Sequence, residues 1–176
     1  GSVNNEMLAE LNQAGNRVPE NQDVIRLATI NETVNAVNQH RMKQIGSESK
    51  IFNATYSEGA AQAFGRTLPA ETSLELKVGA QVMFVKNDLN FDKQFYNGKM
   101  GVIKSLSSNE IRVHFPEENK TIEVERYEWQ NIKYKLNENT KEVEEEVIGT
   151  FVHYPIKLAW AITVHKSQGL TFDKAA

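Results

Sequence analysis

The chain has 176 residues, of which 40% are hydrophobic and 24% charged, and its 20 Lys+Arg against 23 Asp+Glu leave a net charge of −3. This mixture supplies a core for one domain, or for one domain carrying a small insertion, and excludes disordered, collagenous and fibrous classes. There is no cysteine, which excludes a disulfide framework, a thiolate metal site and a cysteine nucleophile and makes a reducing compartment the default. The longest apolar stretch, Phe151 to Val164, contains His153 and Lys157; it is too short for a bilayer, and the N-terminus has no basic-then-apolar signal, so a cytoplasmic protein without a membrane partner is expected. Gly1-Ser2 reads as the remnant of a cleaved tag, and the chain stops at Lys174-Ala175-Ala176 without a closing element, as a piece of a longer polypeptide would.

In chain order, Asn4 to Ala14 has Met7, Leu8 and Leu11 at helical spacing and is ended by Gly15, so the first element expected is a short helix. The apolar run Val24 to Thr29 predicts a strand, and Asn31 then reads as the N-cap of a helix with Val34, Val37, Arg41 and Ile45 on one face. Strand, short loop and helix form the building block of α/β sheets, where polar residues at the carboxyl end of a strand face ligands. From Gly46 to Ser73 the pattern decays, with Ile51-Phe52 as one short apolar piece, and Leu68-Pro69 marks a domain boundary.

Beyond it the period changes to two. The runs 81–85, 100–103, 110–115, 121–125 and 132–136 are short and β-branched or alternating, with turn signals at Asn97-Gly98, Ser107-Ser108-Asn109 and Pro116. They predict a small antiparallel barrel, from which a further strand, Glu146 to Val152, leads out. Glu138, Glu142, Glu144, Glu145 and Glu146 mark a solvated hairpin tip or edge. After His153-Tyr154-Pro155 a buried strand through Val164 and a short helix ended by Gly169 are expected, which makes the barrel an insertion into the α/β unit. The expected organisation is therefore 1–70, an inserted barrel over 71–152, and a return to the first unit over 153–176.

Charge follows this division. Residues 1–70 carry 6 basic and 7 acidic side chains, residues 71–152 carry 11 and 15, and residues 153–176 carry 3 and 1, so the last stretch alone is positive. Within it, Thr163 to Gly169 offers two hydroxyls, an imidazole, an ammonium, a carboxamide and a glycine directly after an apolar segment. Those are the donors that bind phosphate. A helix end carries Lys, His and Gly for capping reasons as well, and composition leaves both readings open. His40, His114 and His153 lack metal-ligand spacing, and Trp129 and Trp160 read as packing residues.

The run Tyr154-Pro155-Ile156-Lys157-Leu158-Ala159-Trp160-Ala161-Ile162-Thr163-Val164-His165-Lys166-Ser167-Gln168-Gly169-Leu170-Thr171-Phe172-Asp173 resembles motif V of the superfamily 1B DNA helicases, particularly the petite-integration-frequency family and its RecD-like relatives. Leu27-Ala28-Thr29-Ile30-Asn31 with Val34 and Asn38 is similar to the family's motif IV region, with Ile30 where the family often has a polar residue. Leu76 to Met83 and Asn97 to Ile103 resemble the SH3-like barrel that the family inserts into its second RecA-like domain. The resemblance implies a partial RecA-like α/β domain interrupted by that barrel. It also implies single-stranded DNA as partner of Thr163, His165, Lys166 and Ser167, with Thr29 and Asn31 at a neighbouring strand end. Gln168 and Gly169 would approach the nucleotide at the domain interface, and Lys99, with Phe95 and Tyr96, would form a DNA-facing tip. The whole family protein is an ATP-dependent helicase that moves 5′ to 3′, with ATP and Mg2+ as cofactors, and a bacterial cytoplasm or nucleoid is its implied location.

No Gly-x-x-x-x-Gly-Lys-Ser/Thr loop occurs in the 176 residues. That loop and the acidic magnesium-binding motif would belong to the first RecA-like domain, and motif VI with its arginine would follow Ala176. The chain alone is therefore expected to hydrolyse no ATP, to contain no catalytic residue or metal site and to bind no nucleotide tightly. The competing reading is a non-enzymatic small barrel that binds nucleic acid or protein, suggested by Gly98-Lys99-Met100-Gly101-Val102-Ile103 after Val82 to Val85. Such a module has no need of Ala161 to Asp173.

Overall fold

Two strands from opposite ends of the chain lie side by side. β1 (Arg26–Ala28) pairs in parallel with β12 (Ala161–Thr163), in the register Arg26↔Ala161, Leu27↔Ile162 and Ala28↔Thr163. The computed structural model describes residues 25–64, 68–136 and 142–164; the helix expected over 4–14 and the polar run from His165 onward lie outside them. A two-residue turn after β1 leads into α1 (Asn31–Gln44). The cap position belongs to Ile30 in extended conformation, and Asn31 is the first helical residue with no side-chain capping bond, so the sequence reading of Asn31 as N-cap is displaced by one. The helix buries Asn38 and Met42, while Val34, Val37, Arg41 and Ile45 flank that line half-buried. A helix with so narrow an apolar stripe depends on packing more than on its own propensity.

The segment read as decaying contains β2 (Ser49–Asn53), β3 (Thr55–Tyr56) and the single turn α2 (Ala60–Ala63). β2 pairs antiparallel with β4 (Ser73–Lys77) from Ser49↔Lys77 to Asn53↔Ser73, so main-chain hydrogen bonds cross the Leu68-Pro69 punctuation. Phe52 and the alternating Leu74 and Leu76 point inward from this pair.

Four strands follow as a meander: β5 (Gln81–Phe84), β6 (Met100–Leu106), β7 (Ile111–Phe115) and β8 (Lys120–Val124). Period-two alternation puts Ile111, Val113 and Phe115 in the core and Arg112 outside. The fifth strand of this sheet is β11 (Ile156–Leu158), which gives the order β11-β5-β6-β7-β8. The expected fifth strand, 132–136, lies instead in β9 (Tyr127–Leu136), which pairs with β10 (Val143–His153) in a three-stranded sheet with β3. One core joins Met42, Phe52, Leu74 and Leu76 to the inner faces of β5 to β8 and to Tyr154 and Ile156. Tyr154 seats edge-on against Phe52 at 5.3 Å, and its hydroxyl donates to the Asn109 carbonyl at 3.0 Å.

The β9–β10 arm changes character along its length. Near its base Trp129 and Phe151 face each other on one side, and Phe151 is fully buried. A bulge between Val147 and Gly149 shifts the register. Beyond it the cross-strand pairs Ile132↔Val147, Tyr134↔Glu145 and Leu136↔Val143 share one face, while Lys133↔Glu146 and Lys135↔Glu144 share the other, where Lys135 also forms an ion pair with Glu146.

The run after Pro155, expected as one buried strand, is two strands in two sheets, with Ala159 and Trp160 between β11 and β12. Backbone groups at this hand-over find partners on both sides, as burial demands. The Gln81 side chain donates to the Ala159 carbonyl at 3.0 Å, the Ala159 N–H donates to the Gln81 carbonyl at 3.1 Å, and the Trp160 carbonyl accepts from the Arg26 N–H at 2.9 Å. No helix among the described residues is long and apolar enough to cross a membrane.

Candidate functional site

The parallel pairing of β1 and β12 fixes what is near what. Thr29 and Asn31 follow the carboxyl end of β1, and Thr163 ends β12 directly beside Ala28, so these three residues lie at the same end of the parallel pair. Thr163 is buried, whereas Thr29 and Asn31 are exposed. Residues His165, Lys166, Ser167, Gln168 and Gly169 are outside the described residues.

β12 is held in place from both sides. β1 binds one edge; on the other, Ala161 donates its N–H to Asn38 Oδ1 at 2.9 Å and accepts from Asn38 Nδ2 at 3.1 Å. A carboxamide thereby stands where a neighbouring strand would, and it is itself buried at 8% exposure. Sequence reasoning placed Asn38 within a motif without giving it a task. The available signal was a polar residue at helical spacing between the apolar positions Val34 and Met42, since a buried carboxamide needs partners. Between α1 and the β2–β4 pair lies a cavity of about 440 Å³, with Asn38 and Met42 on one wall and Ile51, Ser73 and Glu75 on the other.

Lys99 sits elsewhere and is differently employed. The loop 85–99 between β5 and β6 is organised by buried Asp88, whose two carboxylate oxygens accept from the N–H groups of Asn90 and Gln94, each at 2.9 Å. The Asn97-Gly98 turn closes it, with Gly98 at φ +98° and its N–H donating to the Phe84 carbonyl at 2.8 Å. The Lys99 ammonium points inward, 2.6 Å from a Glu118 carboxylate oxygen and 4.0 Å from the centre of the Phe115 ring. Phe95 likewise stacks on Phe84 at 4.2 Å. The expected tip of Phe95, Tyr96 and Lys99 is thus divided: Tyr96 is exposed, while the other two serve packing. Phe91 and Leu89 are the large apolar side chains that this loop exposes most.

The three histidines among the described residues behave as structural residues. His40 contacts Gln44 at 3.2 Å and His114 contacts Thr121 at 3.0 Å. His153 is buried between Phe151 and Tyr154 with neither ring nitrogen hydrogen-bonded. Its pKa is pushed down to about 4, first by burial and then by the positive charge of Arg126. Among the described residues no group of three or more His, Asp or Glu side chains is arranged to hold a metal ion.

Comparison with known proteins gives one consistent answer. No family model matches the chain. It is 28% identical over 160 residues to the ATP-dependent DNA helicase Pif1 of Campylobacter jejuni, covering 86% of this chain and 35% of that protein. It is 30% identical over 179 residues to ATP-dependent DNA helicase PIF1 of Danio rerio, covering 98% and 26%. Bacteroides Pif1 bound to ssDNA superposes with a TM-score of 0.73 at 34% identity, over 98% of this chain and 38% of that one. The same protein in complex with ADP-AlF4 gives 0.75 at 33% identity, over 98% and 39%. The chain therefore spans roughly a quarter to a third of the length of the curated relatives it matches.

Proposed function

We propose that this chain, a Pif1-like superfamily 1B helicase segment, is the part of an ATP-dependent DNA helicase that grips single-stranded DNA beside the nucleotide interface. The observation that carries the reading is the meeting of β1 and β12, which brings the motif IV-like Thr29 and Asn31 to the same strand end as Thr163 of the motif V-like run. Polar groups at the carboxyl ends of adjacent parallel strands form the usual ligand edge of an α/β sheet. In this reading Thr163, His165, Lys166 and Ser167 bind phosphate oxygens without reading sequence, with Thr29 and Asn31 beside them. Gln168 and Gly169 face the nucleotide, so one short element senses both ligands. Lys99 supports the loop that exposes Tyr96, because its ammonium is engaged by Glu118.

The segment on either side of the insertion is read as RecA-like and the insertion as SH3-like. The pairing of β2 with β4 favours an insertion that starts near Ser49 over one that starts after residue 70. The whole protein would move 5′ to 3′ on ATP and Mg2+, with the phosphate loop supplied by a first RecA-like domain. Within these 176 residues the triphosphate has no phosphate-loop lysine to hold it, and the residues present fit a sensing role only.

Fluorescence anisotropy with a labelled single-stranded oligonucleotide tests this. Binding is expected at low salt, falling steeply as salt rises, and weaker in a His165→Ala, Lys166→Ala double variant. Salt-independent binding, or binding that the double variant leaves unchanged, would move the contact away from the motif V-like run. The isolated chain is expected to show no ATP turnover.

A further inference from the structure

We propose that Asn38 is a positioning residue that fixes the register of β12, and with it the place of Thr163 at the strand's end, on which DNA contact by this edge depends. The inference rests on the reading of that strand end as a DNA-contacting element. Ala161 turns its N–H and carbonyl away from β1, since the Trp160 carbonyl on the preceding residue accepts from Arg26 of β1. Among the described residues no third strand covers that edge of the two-stranded sheet. Asn38 covers it instead, donating to the Ala161 carbonyl and accepting from the Ala161 N–H across 123 positions of sequence. Both partners are buried, so loss of either bond strands a polar group away from water.

The position of this contact gives it consequence. Ala161 is two residues before Thr163, and Asn38 sits two turns into the helix that starts at Asn31. One carboxamide thus ties the helix that follows Thr29 to the strand that ends in Thr163. A register shift of β12 by one residue would turn Thr163 to the opposite face. Leu, of similar volume, would fill the space and hold no register. Asp in its ionised form would keep an acceptor for the Ala161 N–H and set an anion against the Ala161 carbonyl. Asp in its protonated form would present one donor and one acceptor, the same pair that Asn presents.

This last equivalence supplies the test. Oligonucleotide affinity is measured for the wild type, Asn38→Leu, Asn38→Asp and Ile103→Ala at about pH 8 and about pH 5.5, where a buried carboxyl takes up its proton. Each value is referred to the wild type at the same pH. The charged groups lining the cavity that Asn38 also lines are Lys43, Glu71, Glu75 and Lys77, and the common reference removes their titration. Asn38→Leu is expected to bind roughly tenfold more weakly at both pH values, a loss the size of one buried hydrogen bond. Asn38→Asp should be equally weak at the higher pH and recover toward the wild type at the lower one. Ile103→Ala, destabilised in a core cluster to which Ile162 of β12 does not belong, should bind like the wild type. An Asn38→Asp variant that is unaffected at both pH values or does not recover overturns the proposal, as does an equal loss in Ile103→Ala. Should the wild type itself hold no oligonucleotide, the functional reading fails and hydrogen exchange at the Ala161 amide decides the positioning role. Faster exchange in Asn38→Leu, restored in Asn38→Asp at the lower pH, supports it; exchange at the wild-type rate in Asn38→Leu refutes it.

Discussion

At His153 an imidazole is enclosed by Phe151 and Tyr154 with no hydrogen-bonding partner, and burial followed by the Arg126 charge lowers its pKa to about 4. In the unfolded chain the ring takes up its proton near the ordinary 6.5. The folded state therefore binds fewer protons between these values. Its contribution to stability is whole above the unfolded pKa and is lost as pH falls toward the folded one. Thermal melting at about pH 7.5 and about pH 5.5 should show a drop in midpoint that His153→Phe reduces. Glu146, whose carboxyl is held below its ordinary range by Lys135, stays ionised across that interval and does not obscure the result. Close packing imposes a different constraint at Gly101, where a Cβ would run into the Val113 side chain and come within 3.0 Å of the His114 carbonyl oxygen. Gly101→Ala should cost about 1–3 kcal/mol in urea denaturation, through overpacking between β6 and β7.

The β9–β10 arm shows at the level of an element how one alternating pattern can serve two surroundings. On the base side of the bulge the odd-numbered residues of β9 and their partners, Trp129 with Phe151, are the apolar ones; beyond it the even-numbered Ile132, Tyr134 and Leu136 are. The base is packed on the body of the chain, and the distal pairs are exposed, with Tyr134 at 63% and Leu136 at 60%. Stability should follow that division. Phe151→Ala is expected to cost about 3–5 kcal/mol, as aromatic truncation in a core does. Tyr134→Thr combined with Leu136→Thr should change stability by less than about 0.5 kcal/mol in the same urea titration, because both side chains are already in water. Sequence periodicity identified both strands of the arm but not their pairing. Alternation reports which side of a strand is buried and carries no information about which strand lies beside it.

Across the whole molecule, that distinction separates what was legible from what was not. Strands β5 to β8 were visible because Ile111, Val113 and Phe115 alternate with polar residues and turn signals separate the runs. A strand in the apolar run after Pro155 was expected, and β12 lies there beside β1. The division of that run between two sheets was hidden, because Ile156 and Ile162 are both buried and an unbroken apolar run looks the same whether one sheet or two receive it. The strand at Ser49–Asn53 was hidden for the opposite reason: β2 buries one large side chain, Phe52, and leaves Ile51 62% exposed. At the candidate site, the polar residues of Thr163 to Gly169 announced themselves by type, whereas the buried carboxamide of Asn38, ordinary in composition, acquired its meaning only from the distant carbonyl and amide it meets.

The pairing of β1 with β12 has a kinetic corollary. The two strands bracket nearly the whole described chain, so joining them directly would close a very long loop for a pair only three residues wide. If the intervening sheets form first, they bring the two ends together and most of that entropic cost has been met before the strands touch. The α/β edge should therefore be the last piece to assemble and the first to open. In pulse-labelling during refolding, the amide of Arg26, which donates to the Trp160 carbonyl, and that of Ile162 should gain protection after those of Val113 and Ile103. The edge that carries Thr163 would then lie in the least cooperative part of the described fold, able to loosen without disturbing the β5–β8 sheet.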